Sequence, residues 1–211
     1  MKYFSLLLLP ALWLTACNQT TQKNQIPQTV ATDKDTSVSN STVNDSANPA
    51  DKLIVPGKAI GQTAINASGQ EVFKRLGKPD AGDAAMGKAL SIWYAGHDST
   101  GYETMIYTTR QMGTEDDAPK VKQIRVTSPW FVTAECIHNG STLQEISKVF
   151  QITKMATFTL NKETYTIYKS ARGIAFEINS KGICKGIIVF STASQPGQMY
   201  LPFYSNMKMI R

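Results

Sequence analysis

The amino-acid sequence predicts an α+β fold of two tandem repeats. Each repeat is a short helical segment followed by a three-stranded antiparallel meander, with the sheets joined and the helices on one face. Two observations carry this. A helix-start signature occurs twice, 74 residues apart, and strand-like runs of alternating polarity follow each occurrence.

The first signature is Ser68-Gly69-Gln70-Glu71 followed by Val72-Phe73-Lys74-Arg75-Leu76; the second is Thr142-Leu143-Gln144-Glu145 followed by Ile146-Ser147-Lys148-Val149-Phe150. Both match a capping box, in which the hydroxyl accepts from an early helical N–H and the glutamate reaches back to the cap. Val72 and Leu76, like Ile146 and Phe150, are four residues apart and share a helical face. Gly77-Lys78-Pro79 supplies a stop for the first helix. Strands are expected at 89–95, 102–109 and 121–128 in the first repeat, and at 164–169, 173–179 and 184–191 in the second. Ile174, Phe176 and Ile178 alternate with Ala175, Glu177 and Asn179, and Asn179-Ser180-Lys181-Gly182 closes a tight hairpin.

Two segments of different composition precede this domain. Residues 1–16 are a charged start, a run from Phe4 to Leu14 that is apolar except for Ser5 and includes Pro10, and Thr15-Ala16. A membrane span needs about 20 apolar residues, so this run reads as an export signal. Its ending, Leu14-Thr15-Ala16-Cys17, resembles the lipobox of bacterial lipoproteins, which implies cleavage before Cys17 and lipid on that residue. Two or three acyl chains make a stable anchor where one does not. Residues 18–52 are rich in Asn, Gln, Thr, Ser and Asp with no aromatic residue, the composition of a disordered tether reaching about 30 to 35 Å. The globular domain is expected over 53–211, with repeat one about 53–130, repeat two about 131–191 and a C-terminal extension over 192–211.

The order of capped helix, Leu76-Gly77-Lys78-Pro79 stop and strands, given twice, resembles the tandem-repeat fold of the beta-lactamase inhibitor protein and the single-repeat small lipoproteins of outer-membrane assembly. Val55-Pro56-Gly57-Lys58 through Val126-Thr127-Ser128-Pro129-Trp130-Phe131 resembles uncharacterised bacterial lipoproteins of the same layout. The resemblance spans roughly 53–191 and its motifs set a fold. Cys136 stands where such repeats often carry Gly before the second helix, Gln151 replaces the helix-ending Gly, and no inhibitory loop residue can be matched.

Few residue groups suggest chemistry. The domain carries eighteen Lys plus Arg against twelve Asp plus Glu, scattered singly, which is not the clustered, aromatic-interleaved pattern of a nucleic-acid surface. Gly82-Asp83-Ala84-Ala85-Met86-Gly87-Lys88 has phosphate-loop spacing, but Ala89 stands where magnesium needs Ser or Thr, so nucleotide is not an expected partner and the segment is read as a loop. His97 has no second ligand at metal spacing, and Glu115-Asp116-Asp117 lacks the ligand pattern of a calcium loop. Cys136 and His138 would share one face of an extended segment, which allows a thiol-dependent enzyme as an alternative.

The reading that follows is a non-catalytic lipoprotein without cofactor. It is anchored through Cys17 in the outer membrane, faces the periplasm, and recognises a protein through its sheet surface; a purely structural role is a further alternative. The residues after Cys17, Asn18-Gln19-Thr20-Thr21-Gln22, lack the acidic cluster associated with surface export. Some of Trp93, Tyr107, Tyr165 and Tyr168 are expected to line the binding surface, and alternation leaves open which set faces outward. In an oxidising compartment Cys136 and Cys184 are expected to form a disulfide closing a loop of about 48 residues, worth roughly 3 to 4 kcal/mol.

Overall fold

The computed structural model describes residues 49–111, 113, 117–193, 204 and 206–210. The expected signal segment, Cys17 and the tether up to residue 48 lie outside them. Within them, Pro49–Lys52, expected as the end of the disordered tether, instead forms one helical turn, α1.

Three short strands follow: β1 (Leu53–Val55), β2 (Ala59–Ile60) and β3 (Thr63–Ala64). Helix α2 (Gly69–Leu76) then leads into four strands, β4 (Ala81–Ala85), β5 (Lys88–Tyr94), β6 (Glu103–Thr109) and β7 (Lys120–Val126). After β8 (Val132–Thr133), helix α3 (Leu143–Val149) leads into β9 (Thr153–Leu160), β10 (Glu163–Ser170), β11 (Ile174–Asn179) and β12 (Cys184–Phe190), and β13 (Lys208–Met209) comes last. The domain is α+β, rich in antiparallel strands and with few helices.

The large sheet runs β13-β9-β10-β11-β12-β7-β6-β5-β4, and a small sheet runs β3-β2-β1-β8. Each meander has four strands where three were expected, and the small sheet was not anticipated. The two missed meander strands have separate causes. In β4, small residues show no alternation of polarity; pairing with β5 from Ala81↔Ile92 to Ala85↔Lys88 makes the strand. Met86 and Gly87 close the hairpin with φ of 50° and 73°, the positive pair that a two-residue turn of right-handed twist requires. The phosphate-loop-like segment is therefore a hairpin, not a loop running into a helix. In β9 a register shift opposite Ile167 and Tyr168 leaves Met155 as the extra residue. Met155 and Ala156 are consecutive and both buried, so the bulge erases the period-two signal.

Both helices cover the same sheet face. One core cluster joins Val72 of α2 and Ile146 of α3 to Trp93, Ile106, Ile124, Val126, Phe176, Ile187 and Val189 of the strands. A second cluster, Phe158, Ile167, Ala175, Ile188 and Phe190 with Tyr204 and Met207, lies on the opposite face, because these residues alternate with the first set along each strand.

The two helix starts differ. At α3 the capping box is complete: the Glu145 amide donates to the Thr142 hydroxyl at 3.2 Å and the Thr142 amide donates to the Glu145 carboxylate at 2.7 Å. At α2 the Ser68 side chain makes no cap bond. There the Gly69 amide donates to the Pro119 carbonyl at 2.7 Å, so tertiary contact replaces the local cap. At the other end Gly77 has φ 76° and returns its amide to the Phe73 carbonyl, the stop that the sequence signals. Thr142→Ala is expected to destabilise the domain by about 1 kcal/mol and Ser68→Ala by a few tenths; denaturant titration of both variants measures the difference.

Candidate functional site: a cleft at the seam of the two meanders

The last strands of the two meanders, β7 and β12, pair antiparallel at the centre of the large sheet, with Val126 opposite Ile187, Arg125 opposite Ile188 and Gln123 opposite Phe190. Since Ile124 and Val126 enter the helix-side core, Gln123 and Arg125 point to the outer face. By the same alternation Glu177 of β11 points outward while Phe176 and Ile178 point in.

Arg125 is 3% exposed and Glu177 1%. Arg125 Nε and Nη2 donate to the two Glu177 oxygens at 2.8 and 2.7 Å, a bidentate fork. Nη1 donates to Glu103 Oε2 at 2.6 Å and approaches Met105 Sδ at 3.5 Å, and Nη2 also donates to the Tyr204 hydroxyl at 2.8 Å. All five guanidinium N–H groups are thereby engaged. Burial opposes the charge on Arg125, but the Glu177 carboxylate, with Tyr204 and Glu103, overrides it and holds the group above its ordinary pKa.

Glycine makes room for this pair. Gly186 of β12 stands opposite Glu177, and a Cβ built on it would press into the Glu177 carboxylate, with Oε2 and then Cδ as its nearest atoms. A bulge beside it, at Lys185, shifts the β11–β12 register between Glu177 and Ile178. A C-terminal strap completes the wall. Tyr204 stacks on Phe158 at 3.9 Å, and Phe158 stacks on Tyr165 at 4.9 Å. Asn206 donates to the Thr159 carbonyl at 2.7 Å, and β13 pairs with β9.

The result is a cleft of about 440 Å³ whose lining includes Glu103, Arg125, Tyr165, Lys185 and Tyr204. Arg125 has no N–H to spare for a ligand. Groups with capacity left include Glu103, whose side chain is 27% exposed, and exposed Lys185. Burial, and then the nearby Glu177 carboxylate, push the Tyr204 phenol up, so it stays protonated at neutral pH. Further along β7, Gln123 is 1% exposed, and neither its side-chain nitrogen nor its oxygen has a hydrogen-bond partner among the described residues.

The four candidate aromatics, some of which were expected to face outward, are divided between the faces. Tyr165 lines the cleft, and Tyr107 is on the outer face but only 3% exposed, opposite Gln123. Trp93 and Tyr168 are on the helix side. The Trp93 indole donates to the Gly77 carbonyl at 3.1 Å, and Tyr168 packs on the main core opposite Phe176. Of the four candidates, Tyr107 and Tyr165 are therefore on the outer face and Trp93 and Tyr168 are not. Pairing register decides this: Trp93 lies opposite Thr104, on the side of inward Ile106.

The expected Cys136–Cys184 disulfide is also corrected. Cys184 is a free thiol, fully buried, with Sγ 3.5 Å from Asn139 Oδ1 and 3.4 Å from the Gly186 carbonyl oxygen. Its sulfur faces the core, whereas Cys136 is in the turn after β8 with φ 62°, the left-handed conformation that glycine usually supplies. His138 Nδ1 sits 2.7 Å from the Asn139 carbonyl oxygen. Asn139 Nδ2 in turn donates to the Val126 carbonyl, so this loop is stapled to β7. His97 pairs with Asp80 at 2.6 Å on the surface. Of the acidic run, only Asp117 is among the described residues; it lies 3.8 Å from Arg110.

No protein-family model matches the chain, and no curated protein matches it. Among solved structures, an extracellular protein containing a SCP domain from Bacillus anthracis str. Ames is similar over 60% of this chain and 44% of its own, with TM-score 0.36 and 10% identity. This chain thus spans less than half of that protein, and the likeness is too slight to bear on fold or function.

Three sequence signals could have located the seam: Arg125 between Ile124 and Val126, Glu177 between Phe176 and Ile178, and Gly186 inside a third strand. Arg125→Met is expected to cost 3 to 5 kcal/mol, because it leaves Glu177 buried and unpaired. Arg125→Met with Glu177→Leu should recover much of that loss, and Gly186→Ala should behave like the single variant; thermal and denaturant unfolding compare them. Cys184, whose thiol burial pushes far above its usual range, should resist alkylation in the native protein at pH 8 and react once the chain unfolds, as intact-mass analysis would read.

Proposed function

We propose that the protein is a non-catalytic envelope lipoprotein, anchored in the outer membrane by acyl chains on Cys17 and facing the periplasm, that recognises another protein through the outer face of its sheet. The observation that carries this reading is the seam cleft. It offers aromatic, acidic, basic and hydroxyl groups on strands held by a saturated ion-pair network, and preorganised mixed chemistry of this kind suits recognition. The Leu-Thr-Ala-Cys ending supports the anchor. No helix among the described residues is long and apolar enough to cross a membrane.

The two halves, residues 53–130 and 131–191, are read as tandem repeats. Supporting this, each half runs helix then four antiparallel strands, and the strand order reads the same outward from the β7–β12 seam in both directions. A domain of this layout agrees with the resemblance to the beta-lactamase-inhibitor-protein-like and small assembly lipoproteins.

Cells fed a labelled fatty acid should label the wild-type protein and not Cys17→Ser; label on that variant would refute the anchor. A photo-crosslinker placed in the cleft should capture a partner whose yield falls at least about tenfold in Lys185→Glu, whose side chain is exposed, at unchanged melting temperature. Undiminished capture would refute recognition by this face.

A further inference from the structure

A second hollow lies on the helix side of the large sheet, away from the seam cleft. The small sheet and α2 do not close completely over β6 and β7, and a cavity of about 290 Å³ remains. Its apolar walls are Ile60, Leu76, Ile124, Val126 and Phe131. The rim is a different chemistry. Trp130 is 44% exposed and stands edge-on to Phe131 at 4.9 Å, with the Lys52 ammonium 5.4 Å over its ring. Arg75 donates to the Gln62 carbonyl at 2.9 Å and to the Thr63 hydroxyl, which leaves three of its five N–H groups for something else. The single rim acid, Asp51, already accepts from Gln62 Nε2 at 2.9 Å.

We propose that this hollow is a protein-docking site that takes one bulky apolar side chain of a partner polypeptide, with a neighbouring carboxylate of that partner held by Arg75. Size suits the anchor: the volume is at the lower end for a ligand pocket and accommodates one bulky side chain such as Leu or Phe. Charge selects the neighbour, since Arg75 and Lys52 outnumber Asp51 and a guanidinium with spare donors matches a carboxylate. An apolar socket rimmed by Trp and Arg is also the composition in which binding energy concentrates. The site does not depend on recognition by the outer face.

The test uses the full chain in lipid nanodiscs and the peptide acetyl-Gly-Phe-Asp-Gly-amide, with saturation-transfer NMR on the peptide and empty nanodiscs as background. The expected result is millimolar binding with strongest saturation on the Phe ring, weakened about fivefold or more when the peptide Asp becomes Lys. Arg75→Gln should erase the preference for Asp over Lys, and Trp130→Ala should weaken both peptides about tenfold. Both side chains are exposed, so melting temperatures should hold; if Arg75→Gln lowers its melting temperature, Arg75→Lys, which keeps the charge and loses the fork, should bind the Asp peptide more weakly while still preferring it to the Lys peptide. Equal binding of the Asp and Lys peptides, or no binding of either, would overturn the proposal. So would laurate displacing the peptide from the same site, which would make the hollow a fatty-acid pocket.

Discussion

Burial of one arginine constrains the centre of this molecule. A guanidinium taken out of water is tolerated only if every N–H finds an acceptor and its charge meets an opposite charge. Arg125 meets both demands through Glu177, Glu103, Met105 and Tyr204, and these partners come from β11, β6 and the C-terminal strap. The pair reaches across β12, so one strand between them must have no side chain at that point, and Gly186 is there. Arg125 belongs to the first meander and Glu177 to the second. The same contact that satisfies the charge therefore fastens the two halves together.

Around this node the sheet is divided by face. On the helix side, α2 and α3 close over branched aliphatics and Phe176 in one continuous cluster. The outer side is mixed: the second meander carries its own apolar cluster under Tyr204 and Met207, the seam carries charge, and Gln123 is buried there without a partner among the described residues.

The two concave regions have opposite character. The seam cleft is polar, walled by stacked rings and a saturated salt-bridge network; the hollow under the small sheet is apolar with a cationic rim. Their positions on opposite faces allow two contacts at once without competition.

Much of the architecture was legible in residue order. The two helices at 69–76 and 143–149, six of the eight meander strands, the Gly77 stop and the Thr142–Glu145 box are all written in short-range pattern, because caps and alternation are local effects. Strand β4 escaped because Ala, Gly and Asp carry no polarity signal, and β9 because a bulge put Met155 and Ala156 both inside. What the sequence could not decide was which alternating set faces the helices, and so the candidate binding aromatics were divided, Trp93 and Tyr168 inward and Tyr107 and Tyr165 outward. The pairing of Arg125 with Glu177, the free state of Cys184, the seam cleft and the hollow beside Trp130 were likewise settled only by tertiary structure. Each depends on residues brought together across strands or sheets from positions far apart in the chain, and period and composition carry no record of such partners.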